Sequence, residues 1–177
     1  MVLQELSRFR VPRQIVHPHQ CGFYGDQQRA CSCTPPLIQR YLSRISGPLL
    51  DRIDLHIQVP AVKYRELALE ANCEDSAAIR SRVLAARQLQ CRRLAPFGIY
   101  CNAQMTPRTL RRFCRLDTGS EKQMETAITR LGLSARAYDR ILRVSRTIAD
   151  LEGLEKIEAR HVAEAIQYRS LDRTDWQ

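Results

Sequence analysis

Three groups of side chains in this sequence could do chemistry. The stretch HPHQCGFYGDQQRACSC, residues 17 to 33, holds two of the four histidines and three of the seven cysteines. Imidazoles and thiolates are ligands for borderline and soft metal ions. An odd cysteine count with no secretory leader points to reduced thiols or metal ligands rather than a disulfide framework. The second group is Arg52, in LLDRID, flanked by Asp51 and Asp54. An arginine so placed reads first as a local ion pair. The third is the series Arg136, Arg140, Arg143 and Arg146, which recurs at spacings of four and three. On a helix this is one stripe, either a solvated basic face paired with acids such as Asp139, or a face from which one guanidinium reaches a phosphate. A planar, permanently charged fork suits phosphate oxygens, and Arg136, in the first turn, is the best placed of the four.

Composition bounds what can surround these groups. With 177 residues and 44% apolar content the chain supports one compact domain or two small ones. No run approaches the roughly eighteen apolar residues of a membrane span, and MVLQELSRFR lacks the apolar centre of a secretory signal. A cytoplasmic protein without membrane contact is expected. The excess of 28 Lys+Arg over 19 Asp+Glu gives a net charge of +9, nearly all of it carried by arginine. Such a balance favours a polyanionic partner, nucleic acid or nucleotide. Aromatic content of 6% does not suggest a stacking platform for single strands.

The elements that must position these groups follow from periodicity and caps. Residues 1 to 16 show no clean period and are left unassigned. Thr34-Pro35 starts a helix carrying Leu37, Ile38, Tyr41, Leu42 and Ile45, which Ser46-Gly47-Pro48 stops. From Ile53 to Val59 apolar and polar residues alternate up to Pro60, predicting a half-buried strand. One strand cannot make a sheet alone. Ser76 is expected to cap a helix to about Leu94, weakly amphipathic through Ile79, Val83 and Ala86, which PFGIYCNAQM breaks. Thr106-Pro107 starts a short helix to Cys114. Ser120 caps one whose face is Met124, Ala127, Ile128 and Leu131 and which Gly132 ends. Ser134 caps the most regular helix, with Ala137, Ile141, Val144, Ile148 and Leu151 as its core stripe. A last helix runs near Glu158 to Arg169, with Val162, Ala165 and Ile166 together. Cys73, Cys91, Cys101 and Cys114 read as packing thiols, and His56 and His161 as surface residues.

Three ordered blocks then carry a resemblance: ISGPLLDRIDLHIQVP (45–60), LGLSARAYDRILRVSRTIADLEG (131–153) and EAIQYRSLDR (164–173). Together they resemble the magnesium-chelatase-like AAA+ proteins of the ComM/YifB type, over roughly residues 17 to 173, the C-terminal third of a family member. The resemblance implies a mainly α fold: an incomplete AAA+ α/β core remnant of helix plus strand, followed by a helical-bundle lid. It divides the chain into an unassigned segment (1–16), the end of the core with a Cys-rich hairpin, finger and last strand (17–60), a connecting helix and linker (61–105) and the lid (106–173). In LLDRID it identifies Arg52 with the arginine finger that reaches the γ-phosphate bound by a neighbouring subunit. In LSARAYDR it identifies Arg136 with the sensor-2 arginine of the helical lid, which contacts the phosphates of its own subunit's ATP. Family members imply ATP with Mg as cofactor, hexamers of homologous subunits, DNA as partner, and branch migration during natural transformation.

The same resemblance bears on the Cys-rich stretch, where it places a Cys-Pro-Cys-Gly and a later Cys-x-Cys. Here the first reads His19-Gln20-Cys21-Gly22, so His19, Cys21, Cys31 and Cys33 form a His-Cys₃ set suited to structural zinc. Reduced, unliganded thiols are the alternative. His17 stands where the family has its sensor-1 asparagine. The 177 residues contain neither G-x-x-x-x-G-K-[ST] nor an acidic magnesium-binding strand end. Autonomous ATP hydrolysis is therefore not expected. Three readings follow: a truncated or split AAA+ piece, a stand-alone basic nucleic-acid-binding module, and a gene remnant without a stable product.

Overall fold

The computed structural model describes residues 21, 29–43, 51–57 and 74–169. The chain divides into two compact units, Met1–Ile45 and Ser46–Gln177.

In the first unit Cys21 and residues 29–34 precede helix α1 (Pro35–Leu42). Proline at the first helical position needs no amide partner and has its φ preset. The Thr34 carbonyl accepts from the amides of Leu37 (2.9 Å) and Ile38 (3.2 Å), closing the first turn as the sequence predicts. Ile45 lies outside the described residues.

The second unit contains five α-helices among its described residues: α2 (Ser76–Leu94), α3 (Pro107–Phe113), α4 (Thr118–Leu131), α5 (Ala135–Leu151) and α6 (Ala159–Gln167). Each expected helix is present, and the differences lie at the starts. Asp75 rather than Ser76 caps α2, its carboxylate accepting from the Ala78 amide at 2.6 Å. Asp117 rather than Ser120 caps α4, accepting from the Ser120 amide at 2.7 Å. In both places an aspartate upstream, one residue before Ser76 and three before Ser120, offers the stronger acceptor. Hydrogen bonding by Ser120 holds the Asp117 carboxyl below the usual carboxylate range. Thr106 and Ser134 cap α3 and α5 as expected. Gly132 ends α4 at φ 55°, a left-handed conformation in which a Cβ is costly.

The core gathers around α5. Ile141, Leu142, Ile148 and Ala149 of that helix pack with Leu94 of α2, Leu110 of α3, Met124 of α4 and Val162 and Ala165 of α6. Each large aliphatic fully buried there contributes roughly 1.5–3 kcal/mol of transfer free energy. Helix α2 joins this bundle through Ala86, Gln90 and Leu94, leaving Ile79 and Val83 about two-fifths exposed. That explains its weak amphipathicity, because the buried face includes a glutamine. Leu151, expected at the end of the core stripe, is exposed. His161, expected at the surface, is fully buried. Its Nδ1 accepts from the Glu158 amide (2.9 Å) while Nε2 faces Glu152 (3.1 Å), so both ring nitrogens are satisfied at the start of α6.

The predicted strand differs most. Over 53–57 the chain is irregular, following a turn at Asp51–Arg52; residues 58–59 lie outside the described ones. The backbone partners of this segment are not a sheet: the His56 amide donates to the Tyr168 carbonyl (2.8 Å), and the Ile53 carbonyl accepts from Arg169 Nη1 (2.8 Å). Leu55 and Ile57, which the alternation placed on a buried face, are 46% and 66% exposed. A period-two pattern becomes a strand only where a neighbouring strand takes its amides and carbonyls. The α/β core remnant is accordingly not seen among the described residues, and the fold described is helical.

Candidate functional site

The arginine stripe of α5 is not one solvated face. It grades inward: Arg136 is exposed, Arg140 and Arg143 are partly covered, and Arg146 is 2% exposed. Each has a different partner. Arg136 Nη1 lies 3.7 Å from Asp51 Oδ2, and Arg140 Nη1 lies 2.6 Å from Asp54 Oδ1. Arg143 donates to the Met105 carbonyl at 3.1 Å. Arg146 donates through Nε to Asp150 (3.2 Å) and through its two Nη groups to the Glu155 and Leu154 carbonyls. The expectation of a solvated face paired with acids such as Asp139 is thus corrected. The acids that pair with the outer half come from residues 51–54, and the inner half belongs to the fold.

Asp150 is the centre of that inner half. It is 1% exposed and accepts from Arg93, Arg146 and Asn102, the last at 2.9 Å. Burial lowers the Arg146 pKa from its ordinary value, while the adjacent Asp150 carboxylate opposes the shift. Two guanidiniums and an amide around one carboxylate satisfy a group that would be strongly destabilising if left alone.

The outer half joins the two predicted phosphate-reading arginines through a residue that sequence reasoning did not select. Asp51 Oδ1 accepts from the Ser134 hydroxyl at 2.9 Å. The same hydroxyl accepts from the Ala137 amide at 3.1 Å as the N-cap of α5. Arg169, 1% exposed, approaches Asp51 Oδ1 at 3.7 Å through Nη2. Asp51 is therefore held by the start of α5 and the end of α6 together. Arg52 follows it directly and is exposed; Arg136 flanks it and is 57% exposed. The Arg136–Asp51 contact is long and wet, worth about 0–1 kcal/mol at most, so an anion of higher charge could displace it. Asp51 and Arg169 had one visible signal: they lie inside the LLDRID and EAIQYRSLDR blocks, whose strong patterning concealed that they touch.

These arginines suit phosphate oxygens in type and exposure. The 177 residues do not contain the G-x-x-x-x-G-K-[ST] motif, so no hydrolytic step is derived from these residues.

Of the metal set, Cys21, Cys31 and Cys33 come together, with their Sγ atoms all within 4.8 Å of one another; Cys21 and Cys31 are 3.6 Å apart. His19 lies outside the described residues. Desolvation, with hydrogen bonding and charge repulsion from Cys21 and Cys31, pushes the Cys33 thiol up to about 11. By contrast Cys114 is buried in the core, and burial pushes its thiol up to about 12, which makes it inert at neutral pH. Cys91 and Cys101 are partly covered, and Cys73 lies outside the described residues.

A five-helix bundle that fixes an aspartate-arginine pair at the start of its central helix matches a known class. Residues 73–169, more than half of the chain, match the family described as magnesium chelatase, subunit ChlI C-terminal, and the chain belongs to that family. Residues 9–67 match the family described as magnesium chelatase, subunit ChlI. Among curated proteins the chain is similar to competence protein ComM of Haemophilus influenzae, 41% identical over 172 residues, covering 97% of this chain and 32% of the relative. It is also similar to the uncharacterized protein YifB of Escherichia coli, 38% identical over 169 residues, covering 94% and 32% respectively. The chain thus spans about a third of the length of these relatives. Among the described residues no helix is long and apolar enough to cross a membrane.

Proposed function

We propose that this chain supplies the arginine-finger and lid functions of a ComM-type AAA+ motor that remodels DNA. Arg52 reaches the γ-phosphate of ATP bound by a neighbouring homologous subunit in a hexamer, and Arg136 reads the phosphates as sensor 2. The phosphate-cradling loop and the magnesium site are supplied from outside these 177 residues. The observation that carries this reading is the Asp51 anchor: one carboxylate, hydrogen-bonded by Ser134 and 3.7 Å from both Arg136 and Arg169, ties the Arg52 turn to the first turn of α5. A finger acts by placing a guanidinium where charge develops in phosphoryl transfer, and such placement needs a rigid support. The anchor provides it, and it lets occupancy at Arg136 be felt at Arg52.

Complementation tests the reading. A complete homologue whose own finger has been removed is mixed with this chain, and ATP turnover is measured. Restored turnover, lost again by up to about 10³-fold with Arg52→Ala, is expected; Arg52→Lys should recover little of it, because an ammonium cannot reproduce the planar fork. Unchanged turnover on mixing rejects the finger in trans.

A second reading, a stand-alone nucleic-acid-binding module, is favoured by one surface. Arg108, Arg111, Arg112 and Arg115 on and after α3 are exposed, and among the described residues none of the four forms an ion pair. Arg112 lies over the rings of Phe97 (5.3 Å) and Phe113 (5.4 Å). Four cations without acids suit a DNA backbone. Retention on duplex DNA should then fall by roughly 10²-fold between 50 and 200 mM salt if about four phosphates are neutralised. Arg111→Glu should flatten the log–log slope by about one. Binding that ignores salt removes this reading.

A further inference from the structure

We propose that Cys21, Cys31 and Cys33 hold a structural zinc ion that fastens the start of helix α1. The three sulfurs lie within 4.8 Å of one another, and the Cys21–Cys31 separation is 3.6 Å. Around a tetrahedral zinc with Zn–S bonds of about 2.3 Å, the sulfur–sulfur edge is about 3.8 Å. The thiols therefore already stand near the spacing the ion requires, and none of the three forms a disulfide. All three are partly covered rather than dispersed in water. Three soft thiolates select zinc over hard cations such as magnesium or calcium. The fourth ligand comes from outside the three; the residue assigned to it on sequence grounds, His19, lies outside the described ones.

The placement explains what the ion does. Cys33 is separated from Pro35, the first residue of α1, only by Thr34, whose carbonyl closes the first turn of the helix. Helix α1 has eight residues, well below the roughly 12–15 needed for a helix to persist without help. The unit containing it spans 45 residues, a size at which a hydrophobic core alone gives little stability and metal ions or disulfides commonly supply the remainder. Ligating Cys31 and Cys33 to Cys21 closes a loop against the helix start and removes freedom from the unfolded chain.

The experiment uses the full chain, purified under reducing conditions. Elemental analysis is expected to give about one zinc per chain for the wild type and for Ser32→Ala, and much less for Cys31→Ser. Cobalt substitution should show thiolate-to-cobalt charge transfer of an intensity matching three thiolates. Chelation of the metal should speed hydrogen exchange of peptides covering 34–42, including the Leu37 and Ile38 amides, while peptides covering α5 keep their protection. Less than about 0.1 zinc per chain, or a Cys21–Cys31 disulfide found by mass in metal-free protein, overturns the site. Zinc present but with exchange of 34–42 unaffected by chelation overturns the structural role.

Discussion

Arg136, Arg140, Arg143 and Arg146 are alike in type and spacing, yet they do four different jobs. What separates them is the distance of each from the bundle interior and the identity of the acid it meets. Arg146 and Asp150 bind each other in the core, and removing either partner leaves a buried charge. Asp150→Ala is expected to destabilise the chain by about 3–5 kcal/mol in urea unfolding, and the double change Arg146→Met with Asp150→Leu by clearly less than the sum of the single changes. Arg136, in contrast, is held only by a long contact to Asp51. Arg136→Ala should change stability by no more than about 0.5 kcal/mol, so any loss of nucleotide response in that variant reads function and not folding. The sequence displayed all four arginines, but it could not rank them, because helical spacing says which residues share a face and not what that face meets.

At the scale of the element, Ser134 joins two tasks in one hydroxyl: it caps α5 and donates to Asp51. Two substitutions separate them. Ser134→Ala loses both, with a cost of about 1 kcal/mol for the cap alone. Ser134→Asp keeps an acceptor for the Ala137 amide but sets a second carboxylate against Asp51. The expected result is near-normal α5 stability by chemical denaturation, with impaired complementation of ATP turnover; equal stability and equal turnover in both variants would remove Asp51 from the proposal. Caps and glycine stops were readable locally, which is why Thr106, Gly132 and Ser134 fell where the sequence put them. The starts of α2 and α4 shifted because Asp75 and Asp117, acceptors stronger than a serine hydroxyl, lay just upstream. The stretch 53–57 failed as a strand for a different reason: its alternation is local, but a strand's hydrogen bonds are supplied from elsewhere, and here Tyr168 and Arg169 supply them.

At the scale of the whole molecule, apolar surface remains uncovered. Leu37, Leu55 and Ile57 are 45%, 46% and 66% exposed. Exposed large aliphatics of this kind favour association, so light scattering of the 177-residue chain should show oligomers or aggregates whose fraction rises with concentration; a monodisperse monomer would contradict this. The bundle around α5 should nonetheless unfold in one cooperative transition; observing it would exclude a gene remnant without stable structure, and a broad, non-cooperative melt would favour one. Its alkaline limit follows from Cys114, whose thiol is raised from 9.0 to about 12. A raised folded-state pKa stabilises fully below the unfolded value and is lost as pH rises through the folded one. The melting temperature should therefore fall between about pH 9 and pH 12, and by less in Cys114→Val, measured side by side.

The sequence by itself determined the helices of the bundle, the core stripe of α5, the two exposed arginines of interest and the clustering of cysteines before α1. All of these rest on neighbours a few residues apart, where caps, periodicity and ligand spacing act directly. Only the tertiary structure decided that Asp51 is the joint between Arg52 and Arg136, that His161 and, of the arginine stripe, Arg146 are buried, and that residues 53–57 lie along the end of α6. Those outcomes depend in part on groups far along the chain, up to the 118 positions between Asp51 and Arg169, and no local pattern records which distant partner will satisfy a buried charge or an open backbone bond.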